Sequence, residues 1–200
     1  MKIEDLFIEL ADKDFQEPST GNLFFPAYIY QYDPKKEYEI RQSIADLHGR
    51  LIRPDIYVDC LILNIFDEFI TYLREQELLG ESLLELILAQ EKEDPEEALG
   101  LLSEHAHSDV FLEYLHNTAT KHFNFPAKYK KVYLLLHGFG SIYPYLRSSE
   151  FLKNFEKHLS GAGYKLIVFY PGEYKNKYYH LFNMINDDNI YRATLLNPKV

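Results

Sequence analysis

VYLLLHGFG (Val132–Gly140) is the stretch that decides the fold. Five apolar residues in a row, ended by two glycines, predict a strand buried on both faces. That is the signature of a parallel sheet covered by helices on either side. Gly138 and Gly140 permit a tight turn out of the strand. Downstream, Ser148–Leu159 has the apolar spacing of an amphipathic helix. Tyr164–Tyr170 is a second apolar strand, ended by Pro171-Gly172. Strand, helix, strand is the unit that builds a parallel sheet.

Working outward, residues 2–15 predict an amphipathic helix (Ile3, Leu6, Phe7, Leu10), and EPSTGN a loop. Leu23–Tyr32 is aromatic and β-branched, a strand in which Pro26 marks the start. Asp33-Pro34 opens a helix to about Leu47, with Gly49 as its stop. Ile56–Asp59 reads as a short strand, and Leu61–Gln76 returns to helical spacing. Residues 81–122 form an acidic, helix-rich middle, with Pro95 and Ser108-Asp109 as helix starts. Asn189–Leu196 predicts a last strand. The fold class is therefore α/β: a small, mostly parallel sheet flanked by helices, with an acidic helical insertion at about 61–122. The chain reads as one domain over 1–200, its motif-bearing C-terminal part at 128–198. The order of elements also matches a degenerate P-loop-like core lacking the phosphate loop.

Two hundred residues, 46% hydrophobic and 26% charged, fit a globular protein and exclude disordered, collagen-like and coiled-coil classes. No apolar run is long enough to span a bilayer, and the acidic N-terminus is not a signal peptide. Lone Cys60 sits among apolar neighbours, so a reduced cytoplasm and a buried thiol are expected. The net charge of −10 hides a split: −17 over residues 1–120 and +7 over 121–200. Either the two parts fold together and offset one another, or the basic part faces an acidic partner or a phosphate backbone.

The motif search excludes more chemistry than it assigns. A strand running into His137-Gly138 imitates the oxyanion loop of an α/β-hydrolase, but G-x-S-x-G is absent. Neither G-x-x-x-x-G-K-[ST] nor G-x-G-x-x-G occurs, which argues against nucleotide hydrolysis. His105, His107, His116 and His122 share a helical region, yet two-residue spacing diverges on a helix, and no metal site is expected. Ten of the 17 tyrosines lie beyond residue 120, beside lysines and arginines. That mixture suits base stacking and protein hot spots alike, and part of it is sheet core. No catalytic residue and no cofactor are expected.

The string LHGFGSIYPYLRSSEFLKNFE, then IVFYPGEY, then LFNMINDDNIYRATLL, resembles the BrxB family. This family is a small core component of bacteriophage exclusion (BREX) systems. The resembling positions are Gly138, Gly140, Tyr143, Pro144, Arg147 and Ser148; then Pro171, Gly172 and Tyr174; then Asp188, Tyr191, Arg192 and Ala193. Ile190 and His137 depart from the family pattern. The resemblance spans nearly the whole chain and is strongest over 132–196. It implies a role in anti-phage defence without enzyme activity, as an assembly subunit among other BREX proteins. A PglZ-like alkaline-phosphatase-family protein is the foremost partner, with a BrxC-like ATPase or a PglX-like methyltransferase next. A nucleic-acid-binding subunit using the basic Tyr-rich part is the alternative, so DNA stays open as a partner. From the residues themselves, Arg147 can hold a carboxylate or phosphate, and Asp188 and Arg192, four apart, can pair.

Overall fold

The apolar run Val132–Leu136 lies in an interior strand of the sheet, paired in parallel on both sides. The computed structural model describes residues 2–17, 26–78, 80–159, 162–187 and 193–196. In chain order the elements are α1 (Ile3–Ala11), β1 (Ala27–Tyr32), a 3₁₀ turn (Pro34–Lys36), α2 (Glu37–Leu51), β2 (Val58–Asn64) and α3 (Ile65–Glu75). A small hairpin, β3 (Glu77–Leu78) and β4 (Glu81–Ser82), precedes α4 (Leu83–Glu93), α5 (Pro95–His107) and α6 (Asp109–Asn124). Then come β5 (Lys130–His137), α7 (Phe139–Ile142), α8 (Ser148–Leu159), β6 (Lys165–Lys175), β7 (Tyr178–Leu181), β8 (Ile185–Asp187) and β9 (Thr194–Leu195).

Five strands pair in parallel in the order β2-β5-β6-β1-β9. Strand β6 runs on past this sheet and turns back, so that β6, β7 and β8 form an antiparallel meander. Strand alternation sends side chains to two cores. Tyr28, Tyr30 and Tyr32 of β1 meet α1 and α2 through Leu6, Leu10, Ile40, Ile44, Leu47 and Leu51. Ala27 and Ile29 face the other way, towards α3 to α8. Val132 is the extra residue of a bulge: Lys131 pairs with Asp59, but Tyr133 pairs with Cys60. The bulge puts Val132 and its neighbour Tyr133 in the same core, where strict alternation would separate them.

The charge asymmetry is partly resolved inside the molecule. Lys130 pairs with Glu17 at 2.7 Å, Lys157 with Asp109 at 2.6 Å, and His107 with Glu150 at 3.0 Å. Each pair joins the acidic first part to the last 80 residues. Lys165 is buried and donates to the Phe15 carbonyl, its ammonium 4.3 Å from the Phe15 ring.

Several boundaries differ from the sequence reading. Strand β6 runs through Pro171-Gly172, which were expected to end it, to Lys175, because β7 returns to pair with it there, and α1 ends at Ala11 rather than at residue 15. Helix α2 runs through Gly49 to Leu51, because Leu47 and Leu51, four apart, both enter the core. Residues 61–64 extend β2 instead of opening the helix; Asn64 caps α3, its side chain accepting from the Phe66 N–H at 3.1 Å. The meander strands β7 and β8 were not expected. The expected strand start at 23–25 and residues 189–192 of the expected last strand lie outside the described residues. No helix of the described residues is long and apolar enough to cross a membrane.

Candidate functional site

At the carboxyl ends of β5 and β6 the motif glycines are consumed by close packing. Gly138 follows β5 with φ +89°, a left-handed conformation that L side chains adopt at a cost. A Cβ there would lie 1.9 Å from Asn64 Oδ1, the atom that caps α3. Gly140, two residues on, meets the Phe182 ring, which a Cβ would approach to 3.1 Å, and Pro171 next to it. Gly172 lets β6 pass the returning β7, since a Cβ would stand 2.1 Å from the His180 carbonyl oxygen.

Phe182 is the hub of this arrangement. Its N–H donates to the Pro171 carbonyl at 2.8 Å, and its ring meets Tyr143 edge-on at 5.8 Å. The Tyr143–Pro144 peptide is cis. Phe182 and Asn183 both have positive φ, which turns β7 into β8. Beneath them Asp187 is 3% exposed; it accepts from Ser149 Oγ at 2.8 Å and, at the long limit of 3.5 Å, from the Tyr170 hydroxyl. Burial first, and then the Asp187 carboxylate, drive the Tyr170 phenol far up in pKa, so it stays a donor. Arg147 Nη1 approaches the Asn186 carbonyl at 3.5 Å.

The structure thus gathers Gly140, Tyr143 and Pro171 around Phe182, places Gly172 and Arg147 along the same meander, and puts Gly138 against the α3 cap. Pro144, joined to Tyr143 by the cis peptide, is exposed. Tyr174 is apart from the hub: it lies against Tyr179 at 4.8 Å on the β6–β7 hairpin, its N–H donating to Gln31 Oε1 at 2.7 Å. Asp188, Tyr191 and Arg192 lie outside the described residues. Sequence reasoning missed Phe182, Asn64 and Asp187. Asp187 sits in an Asp-Asp pair beside the residue that was chosen, and Asn64, one residue before a helix, carries a cap signal.

A second network lies across α7. Arg41 Nε donates to Glu37 Oε1 at 2.8 Å, its Nη2 donates to Ser141 Oγ at 3.1 Å, and the Tyr32 hydroxyl donates to Glu37. His137 is half-buried nearby, its Nδ1 without a hydrogen-bond partner among the described residues. Burial first, then Arg41, hold its pKa below the usual histidine value, which keeps the imidazole neutral at pH 7.

Between β6 and β1 the following connections leave in different directions, and the crevice at this switch point holds about 550 Å³. Gln31, Asp33, Lys36, Ser43, Gly172 and Glu173 are among its walls. This is where a P-loop core would seat a phosphate. Here the place is taken by the protein's own carboxylate: Asp33 Oδ1 accepts from the Lys35 N–H at 3.1 Å, and Pro34 has no N–H to offer. Among the described residues no group of three or more His, Cys, Asp or Glu side chains converges to hold a metal ion. Cys60 is buried, and desolvation, followed by the Asp59 charge, drives its thiol pKa far up, away from nucleophilic chemistry.

The profile of the family described as BREX protein BrxB matches residues 61–196, which run from β2 to β9 and contain every motif position above. A protein of Bacillus cereus (strain H3081.97) named BREX protein BrxB is 25% identical over 204 residues, covering 99% of this chain and 97% of that protein. No solved structure matches the chain. A profile match over residues 61–196, more than half of the chain, shows that this chain belongs to the BrxB family of BREX proteins.

Proposed function

We propose that this chain, read as one α/β domain over residues 1–200, is a non-catalytic assembly subunit of a BREX complex, and that its foremost contact is the PglZ-like component. The observation that carries the reading is what the motif residues do. Gly140, Tyr143, Pro171 and Gly172 are spent on seating the β6–β8 meander rigidly on the end of the sheet. What the meander then offers to solvent is Tyr174, Tyr178 and Met184, at 40%, 54% and 78% exposure. Exposed aromatic and thioether side chains on a preordered support match the composition of protein–protein hot spots.

The test is co-purification of the tagged chain with the PglZ-like protein of its own operon, wild type against Tyr174→Ala with Tyr178→Ala. Loss of the partner from the double variant, with its circular dichroism unchanged, supports the docking surface. Undiminished partner in the double variant removes the meander as the contact.

A second reading rests on one feature, the exposed Lys175-Asn176-Lys177 tip between these tyrosines. Two cations beside two rings suit a single-stranded nucleic acid. Binding through this tip would weaken with salt at a log–log slope of only about −1.4, the value for two phosphate contacts on a single strand. A slope several times steeper would place the contact elsewhere on the chain.

A further inference from the structure

At the opposite end of the sheet from the meander, α6 and α8 flank a partly open cavity of about 360 Å³ in front of the residue that leads into β6. Its polar walls are His116, Thr120, Asn124, Lys157, His158 and Tyr164. Three buried atoms there have no hydrogen-bond partner among the described residues: His116 Nδ1, His158 Nε2 and the Tyr164 hydroxyl. Buried polar atoms are paired as a rule, because an unpaired one has given up water for nothing. Three around one cavity are the mark of a ligand or of ordered water.

Chemistry narrows the choice. The two imidazoles stack at 4.8 Å, with Phe155 5.3 Å from His158, and Phe123 lies flat on Tyr164 at 4.4 Å and 8°. The rings hold the donors rigidly. No carboxylate lines the cavity, although the chain carries 31 acids against 21 lysines and arginines. The charged neighbours are Lys157, bonded to Asp109 at 2.6 Å, and Glu113, one turn before His116. Lys157 and His158 occupy the last turn of α8, where the helix dipole favours their charged forms but opposes an anion, so the attraction for an anion has to come from these side chains. The phenol, the amide and the two imidazoles supply the donors, while the Thr120 hydroxyl lies 3.4 Å from His116 Nε2 and the Lys157 ammonium is held by Asp109.

We propose that this cavity binds a small oxyanion, the phosphate or carboxylate group of a soluble ligand, between His116, His158 and Tyr164. Burial holds His158 below the usual histidine pKa, with His116 and Lys157 adding to the effect, while Glu113 and Asp109 oppose it. An anion in the cavity reverses that balance and binds together with a proton. Affinity therefore rises as pH falls.

Sulfate is the probe, because its charge is constant over the range. It is titrated into the full-length protein while the histidine Cε1–H resonances are followed by NMR at pH 7.5 and pH 5.5. The expected result is a saturable shift of His116 and His158 together. Binding should be about tenfold tighter at the lower pH, the factor that corresponds to an upward histidine shift of about one pKa unit. Tyr164→Phe, which removes one unpaired hydroxyl without changing the ring, should weaken sulfate at least about tenfold, the low end for a hydrogen bond to a charged group. His158→Gln should abolish the pH dependence. Absence of a saturable shift would overturn the proposal. So would an equal shift in both variants, or a response to zinc and not to sulfate.

Discussion

Gly138→Ala tests the construction of the site at its tightest point. The new methyl group meets two independent costs. At φ +89° an L residue costs about 1–2 kcal/mol relative to the right-handed region. The methyl carbon also falls 1.9 Å from Asn64 Oδ1, so Asn64 must leave its position and the α3 N-cap is lost, worth about 1 kcal/mol. The expected destabilisation is about 2–3 kcal/mol, read as a lower urea midpoint at unchanged slope. Gly49→Ala and Gly100→Ala are the controls: both lie inside helices with nothing within 4 Å of the added carbon, and each should stabilise by about 0.5–1 kcal/mol. Asn64→Ala separates the two costs. In that background Gly138→Ala should cost about 1 kcal/mol less than it does in wild type, because the cap is already gone. A Gly138→Ala protein within about 0.5 kcal/mol of wild type would refute the reasoning, as would strict additivity with Asn64→Ala.

Ser149→Ala removes the 2.8 Å bond to buried Asp187 and should cost about 1.5–3 kcal/mol by urea unfolding, the range for a hydrogen bond to a charged group; a neutral substitution would mean that Asp187 is not held there. Acidification should destabilise the protein between pH 7 and about 5.5. His122, His137 and His158 have folded pKa values lowered chiefly by burial, so the unfolded chain binds more protons and stability falls as pH drops below the ordinary histidine value of about 6.5. His107 is the exception. Its burial is outweighed by the bonds to Glu150 and the Ser103 carbonyl, its pKa is raised, and its contribution is present at low pH and lost as pH rises above about 6.5. Stability rising throughout on acidification would contradict these signs, and the Cε1–H titration of each histidine would locate the error. Cys60 should resist a disulfide reagent in the native state and react at the rate of unfolding, whereas prompt native-state reaction would show that the thiol is accessible.

Much of this architecture is legible in the residues, and the parts that are not have identifiable reasons. The run Val132–Leu136 has no polar interruption, and only a strand covered on both faces accommodates it, so β5 and the parallel sheet follow. Pro95 after Asp94, and Ser108 before Asp109, mark helix starts where α5 and α6 begin. Residues 61–64 are apolar enough to suit either a helix or a strand, and only the pairing with Leu134 to His137 of β5 decides it. The β6–β7 hairpin hides behind a turn of unusual composition: Asn176 and Lys177 both adopt positive φ, which a type I′ turn requires and which glycine more commonly supplies. The motif glycines are readable as turns. That they make room for Asn64, Phe182 and the His180 carbonyl is not, because those partners come from 42 to 74 residues away or from a strand the pattern concealed.

The role within BREX is tested most directly by size-exclusion chromatography with light scattering on this chain mixed with the PglZ-like protein of its own operon, at low salt and at near-molar salt. A docking surface built on Tyr174, Tyr178 and Met184 predicts a complex whose mass is that of both proteins and which persists at high salt, since apolar burial is not screened. Separate elution of the two proteins at both salt concentrations would contradict the assignment of the PglZ-like component as the contact.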